Sequence, residues 1–171
     1  PPGCYKPLFE LLQPHFHLFG MHLRPLWPNA KPDELNDWSP LADDLLRFLN
    51  EQNAGPLIAV GHSIGGIVTL RAALREPNRF RGLVLIDPVL FPPTRIIAWN
   101  IARLLGLGHK AHPLIQGALK RRREFDEIET IFRSYRRRSV FRNFSDENLR
   151  AYVEGIVRPR DGGGYELVYS P

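Results

Sequence analysis

The chain has 171 residues, 43% of them hydrophobic, and a net charge of +5 at pH 7. That length supports one domain with a real core, and no apolar run approaches the ~20 residues of a membrane span, so no integral membrane segment is expected. The single Cys4 excludes an internal disulfide and fits a reducing compartment, which makes the cytoplasm the expected location.

The charge is uneven. Lys120 to Arg142 holds nine Lys/Arg against four Asp/Glu, which matches the whole net charge. The chain starts at Pro1 without the basic-then-apolar order of a signal peptide. Its first methionine is Met21, inside a patterned segment, so an excised piece of a longer chain is expected.

Pro1-Pro2-Gly3 reads as a loop. Tyr5, Leu8, Phe9 and Leu12 have helical spacing, and the helix should end near Gln13-Pro14. His15 to Met21 alternates, with Phe16, Leu18 and Gly20 on one face and His17, Phe19 and Met21 on the other, which predicts a strand. Arg24 to Pro40, with four prolines, Trp27 and Trp38, reads as a long loop of the kind that is often functional. Ser39 then looks like an N-cap with Pro40 at the first helical position. Leu41, Leu45, Phe48 and Leu49 form one apolar face, and Asn53 to Pro56 ends that helix.

Leu57 to Val60 is a continuous apolar run and predicts a strand buried on both faces. A helix is expected over Ile64 to Glu76, stopped by Pro77. Leu83 to Ile86 predicts a second buried strand, closed by Asp87-Pro88. Strand, helix and strand at this spacing make a βαβ unit with parallel strands and a right-handed crossover.

After Phe91 the character changes. Ile96 to Leu105 predicts an apolar helix with Ile97, Ile101 and Leu104 on one face, broken by Gly106-Leu107-Gly108. Pro113 to Tyr135 is basic and amphipathic. Ser145 is expected to cap a helix with Asp146 and Glu147 in its first turn and a stripe of Leu149, Tyr152, Val153 and Ile156. Asp161 to Gly164 reads as a turn and Tyr165 to Tyr169 as a short extended piece.

Chemistry is concentrated at Gly61-His62-Ser63-Ile64-Gly65, a match to G-x-S-x-G between the first strand and its helix. A strand turning sharply into a helix strains the central residue. Small residues two before and two after it let the chain pass close to itself. Ser63 Oγ then projects from the bend, and the Ile64 N–H at the helix N-terminus is placed to stabilise an oxyanion. Gly66 suits close helix-to-sheet packing. An ordinary Gly-rich turn is the bland alternative, and the flanking strand and helix weigh against it. His62 should point away from Ser63. His15, His17, His22, His109 and His112 read as structural or exposed. His109-x-x-His112 lacks a third ligand at usable spacing, so no metal is expected, and no cofactor is expected. The tracts Lys120–Arg123 and Arg136–Arg138 flank Glu124, Asp126, Glu127 and Glu129. That favours a salt-laced, solvated face over nucleic-acid or membrane binding.

Three features together resemble the α/β-hydrolase family: the elbow Gly61–Gly65, the run Arg79 to Pro88, and the helix-then-strand over Tyr5–Phe19. The resemblance implies an α/β fold, a partial α/β-hydrolase core of parallel strands and flanking helices plus a helical cap insertion. Its expected divisions are 1–90 for the core with its nucleophile elbow, 91–160 for the cap, and 161–171 for the start of a return to the core. On that frame Pro1 falls just after the third core strand and Pro171 before the seventh. A missing third strand would leave a gap beside the fourth or force a non-native pairing. The first oxyanion donor, the triad acid and the histidine would lie outside this chain. Where many members have Asp-x-Arg-Gly, this chain has His22-Leu23-Arg24-Pro25. Some members take their acid from the position of Asp87, although a hydrogen bond from Asp87 to the turn before Pro88 is the favoured reading. The Ile96–Leu105 helix is either the inner face of the cap over Ser63 or plain packing within the cap.

The implied function is a serine hydrolase acting on a carboxylic ester or similar acyl bond of a small apolar substrate through a Ser63 acyl-enzyme. The alternative is a catalytically inactive binding module on the same fold. By itself the chain is expected to be nearly inactive and prone to aggregate.

Overall fold

The protein is seen in a computed structural model that describes residues 1–105, apart from 29, 32–34 and 36, and residues 122–169. Gly106–Gly108, His109, His112 and the stretch from Pro113 to Arg121 lie outside the described residues. The chain forms two compact units, residues 31–120 and residues 1–30 with 121–171.

The first of these holds α2 (Ser39–Glu51), β1 (Leu57–His62), α3 (Ile64–Arg75), β2 (Phe80–Ile86) and α4 (Pro93–Leu104). β1 and β2 pair in parallel, with Val60 opposite Val84, Gly61 opposite Leu85 and His62 opposite Ile86. Parallel neighbours need a crossover, and α3 with a 3-10 turn at Pro77–Arg79 supplies it. α3 packs on both strands and on α2. Leu41, Ala42, Leu46, Leu49, Val68 and Ala72 are buried there.

Burial on both faces of these strands does not occur. Ile58 is 59% exposed and Val60 52%, and Val84 and Ile86 are exposed on the same face. Sealing a parallel sheet takes a layer of helix on each side. Among the described residues of this unit, α3 packs on the strands from one side, so only the alternate residues, from Leu57 to Gly61 and from Leu83 to Leu85, are shielded.

The start of α2 also differs from expectation. Ser39 is already helical, and its N–H donates to Asp37 Oδ1 at 2.6 Å. The Ser39 hydroxyl instead accepts an N–H from Arg71 of α3 at 2.7 Å. Asp two residues ahead folds readily into such a turn, which frees the serine for the neighbouring helix. Of the expected inner face of α2, Leu41 and Leu49 are buried. Ala42 and Leu46 are buried, while Leu45 and Phe48 are only half-buried.

α4 is helical as expected, but Ile97, Ile101 and Leu104 are exposed.

The other unit opens with a 3-10 turn at Pro2–Tyr5, where a loop was expected, and runs into α1 (Lys6–Leu12). Gly3 lies against Gly155, and a Cβ on Gly155 would collide with the Gly3 and Cys4 backbone. His15 to Met21 is not a strand. A strand persists only where neighbours take its N–H and C=O groups, and among the described residues this segment joins no ladder. It folds back instead, so that Gly20 lies beside Pro2 and Phe9. Within the expected long loop, Arg24–Leu26 forms a 3-10 turn, and the Trp27 indole donates to the His22 carbonyl at 2.7 Å.

Further along come β3 (Glu124–Phe125), α5 (Ile128–Arg136), α6 (Asp146–Gly155), β4 (Val157–Pro159) and β5 (Tyr165–Leu167). The strands form an antiparallel sheet in the order β3-β5-β4. The described part of the basic segment is therefore helical only from Ile128. Before that, Phe125 pairs with Tyr165 and enters the core with Ile131, Phe132, Tyr135, Leu149, Val153, Ile156 and Leu167. α6 matches its sequence pattern: the Asn148 N–H donates to Ser145 Oγ at 3.1 Å, and Leu149, Val153 and Ile156 are fully buried. The expected turn joins β4 to β5, with Gly162, Gly163 and Gly164 all at positive φ.

Candidate active site

β1 ends at His62, α3 begins at Ile64, and Ser63 alone makes the bend. Its backbone stands at φ 54° and ψ −121°, a region that costs an L-residue about 1–3 kcal/mol. The surroundings over-determine it. The Ser63 N–H donates to the Ile86 carbonyl at 3.0 Å, and the Ser63 carbonyl accepts from the N–H groups of Gly66 at 3.0 Å, Val89 at 3.3 Å and Ile67 at 3.4 Å.

The glycines have unequal work. A Cβ on Gly61 would stand 2.8 Å from Gly66 Cα, inside any real contact. One on Gly66 would stand 2.9 Å from Pro88 Cβ and 3.3 Å from the Gly61 carbonyl oxygen, so this glycine admits the turn after β2 as well as the close approach of α3 to β1. One on Gly65 would meet nothing within 4 Å, so Gly65 is not required by crowding of its own side chain.

Ile64 opens a twelve-residue helix. The first N–H groups of a helix have no intrahelical acceptor, and the helix dipole adds partial positive charge there. Among the described residues the Ile64 N–H donates to no backbone carbonyl. The Ser63 hydroxyl likewise has no hydrogen-bond partner among the described residues. A hydroxyl beside such an N–H is suited to attack a carbonyl and stabilise the resulting oxyanion, provided a base removes its proton.

His62 is exposed, in register with Ile86 on the open face of the sheet. Asp87 follows β2 directly, exposed and at φ 42°. Its carboxylate has no hydrogen-bond or ion-pair partner among the described residues, so the bonds that hold its turn are backbone bonds. Sequence reasoning did not single out Pro88 and Val89 as neighbours of Ser63. The Asp-Pro pair at the strand end was the available signal, since it marks a turn.

The remaining described sequence candidates lie in the other unit. His15 and His17 are exposed and line a cavity of about 670 Å³ with Phe9, Gln13, Pro14, Phe16 and Leu18. His22 is exposed as well. Several of the described basic residues are tied to neighbours: Arg136 to the Phe141 and Phe144 carbonyls and to Asp146, Arg133 and Arg150 to Glu129, and Arg160 to Glu124. Arg138 lies over the Tyr135 ring. Among the described residues no group of three or more His, Cys, Asp or Glu is placed to hold a metal ion, and no helix is long and apolar enough to cross a membrane.

Comparison with known proteins covers nearly all of this architecture. The profile of the alpha/beta hydrolase family matches residues 1–167. A type I acyl-CoA thioesterase of Penicillium brevicompactum is 33% identical over 113 residues, 55% of this chain and 25% of its own. A lipase of Mycobacterium tuberculosis is 36% identical over 85 residues, 44% of this chain and 32% of its own. The chain thus spans a quarter to a third of the length of these relatives. The crystal structure of E-2-(acetamidomethylene)succinate hydrolase superposes with a TM-score of 0.71 at 21% identity, over 98% of this chain and 56% of that one. With its strand–serine–helix bend, its parallel β1–β2 pair and a family match along almost its whole length, the chain belongs to the alpha/beta hydrolase family.

Proposed function

We propose that this chain carries the nucleophile of a serine hydrolase that cleaves a carboxylic ester, or a similar acyl bond, of a small apolar molecule. The observation that carries this reading is the positive φ of Ser63 at the junction of β1 and α3, beside the unclaimed Ile64 N–H. Ser63 Oγ attacks the acyl carbon, and its proton passes to a general base. The tetrahedral oxygen takes a hydrogen bond from Ile64 N–H. Collapse expels the alcohol or thiol with a proton returned by the base, and water then releases the acid. The relatives named for thioester and lipid cleavage support an acyl substrate.

In this reading the histidine, its carboxylate partner and a second oxyanion donor come from parts of the protein other than the described residues. Residues 1–90 belong to the core and 91–160 serve as the cap, with the exposed Ile97, Ile101 and Leu104 of α4 offering an apolar surface for substrate. The single Cys4 supports a cytoplasmic setting.

The test is fluorophosphonate labelling of the protein expressed from its complete reading frame, with Ser63→Ala as control. Labelling lost in the variant is the expected result. Folded protein that takes no label and hydrolyses no ester would overturn the reading and leave the binding module in its place.

A further inference from the structure

Ser63 and Asp87 are both non-glycine residues at positive φ, and the backbone joins them. The final rung between the two strands runs from the Ser63 N–H to the Ile86 carbonyl, at 3.0 Å. The chain then reverses at Asp87, at φ 42°. Two residues later the Val89 N–H comes back to the Ser63 carbonyl, at 3.3 Å. Between them Pro88 fills the space that a side chain on Gly66 would need.

These bonds bracket the serine. Relaxing Ser63 on its N-terminal side breaks the bond to Ile86. Relaxing it on its C-terminal side breaks the bond to Val89, the donor from outside the helix, while Gly66 and Ile67 hold the same carbonyl from within it. The strained Ser63 backbone is therefore held from two strand ends and a helix start at once.

Asp87 is an unusual residue to find in this conformation. A residue before proline is normally extended, so the positive φ is imposed by what surrounds it. Asp and Asn tolerate the left-handed region better than other side-chain-bearing residues. The Asp87 carboxylate has no partner among the described residues, so it is not what holds the turn.

We infer that the Asp87-Pro88-Val89 turn is a latch that keeps Ser63 in its reactive conformation, with Asp87 acting as a positioning residue through its left-handed backbone and not as the triad acid. This rests on Ser63 being the nucleophile.

The test uses protein from the complete reading frame and four variants: Asp87→Asn, Asp87→Gly, Asp87→Ala and Asp87→Val. Three readouts are taken: the rate constant for fluorophosphonate labelling, kcat and KM on a p-nitrophenyl ester, and the melting temperature. Asn and Gly accept positive φ and are expected to label within about threefold of the parent. Val resists positive φ, and its labelling rate and kcat should fall at least about tenfold with KM little changed, as misplacement of a reacting atom predicts. If Val prevents folding, Ala provides the same comparison at lower strain and should fall between Asn and Val. Loss of activity in the Asn variant equal to that in Val or Ala would overturn the latch and make the carboxylate the acid. Parent-like rates in folded Val or Ala variants would also overturn it, while leaving Ser63 as nucleophile. A parent protein that takes no label at all would remove the nucleophile reading and the latch together.

Discussion

A Cβ on Gly61 would stand 2.6 Å from the carbonyl oxygen of Gly65. The first residue lies two before Ser63 and the second two after it, so the bend closes on itself through backbone alone. Gly61→Ala must push β1 and α3 apart, and the expected cost is about 1–3 kcal/mol. Gly65→Ala meets open space and gains helix propensity, so it should be neutral or up to about 1 kcal/mol more stable. Urea unfolding of the two variants checks this, and equal losses would contradict the assigned crowding.

Strain at Ser63 predicts a stability difference between two inactive variants. At φ 54° an alanine keeps the Cβ penalty and a glycine does not. Ser63→Gly should therefore exceed Ser63→Ala in stability by about 1 kcal/mol, with neither taking a fluorophosphonate. Identical midpoints in denaturant would show that the bend is unstrained.

Asp37 gives the start of α2 a dependence on pH. The backbone N–H of Ser39 bonded to its carboxylate holds Asp37 below its ordinary value of 3.8, so the folded chain binds that proton less readily than the unfolded one. The contribution is complete above 3.8 and is lost as the pH falls through the depressed folded value. Asp37→Asn should be less stable than the parent at pH 7, by under about 1 kcal/mol because the site is exposed. The gap should narrow in acid. Thermal melts at the two pH values decide it, and a gap that widens in acid would refute the assignment.

The open face of the β1–β2 pair predicts the behaviour of the 171-residue chain. Ile58, Val60, Val84 and Ile86 are exposed on two strands that pair only with each other among the described residues. Exposed apolar strands with free edges associate. The chain is expected to precipitate from dilute buffer, and Val60→Lys with Val84→Lys should raise its soluble yield severalfold at unchanged helix content. Light scattering and far-UV circular dichroism test this. A parent chain that stays monomeric at high concentration would count against it.

What could be read from order along the chain was whatever depends on near neighbours. The bend at Ser63 is built from a strand run, a glycine pattern and a helix run within a score of residues, and each is local. The Ser145 cap on α6 spans three residues, and its stripe needs only helical periodicity. Both are seen as expected.

Other features depended on residues distant in sequence, and there the pattern misled. His15 to Met21 alternates like a strand, but a strand needs a neighbour to bond, and periodicity does not supply one. The Ser39 hydroxyl is claimed by Arg71, thirty-two residues away, and the Ser39 N–H is taken by Asp37. The runs in β1 and β2 announce apolar strands without saying how many faces will be covered. That depends on how many helix layers arrive.

The sequence by itself determined the family and the serine at the turn, because hydrophobic run, glycine spacing and helix start are short-range and mutually consistent. Only the tertiary structure decided which bonds hold that serine: those to the Ile86 carbonyl and the Val89 amide, reaching it from the end of another strand. Backbone hydrogen bonds across a sheet carry no residue signature, so a sequence pattern does not record them.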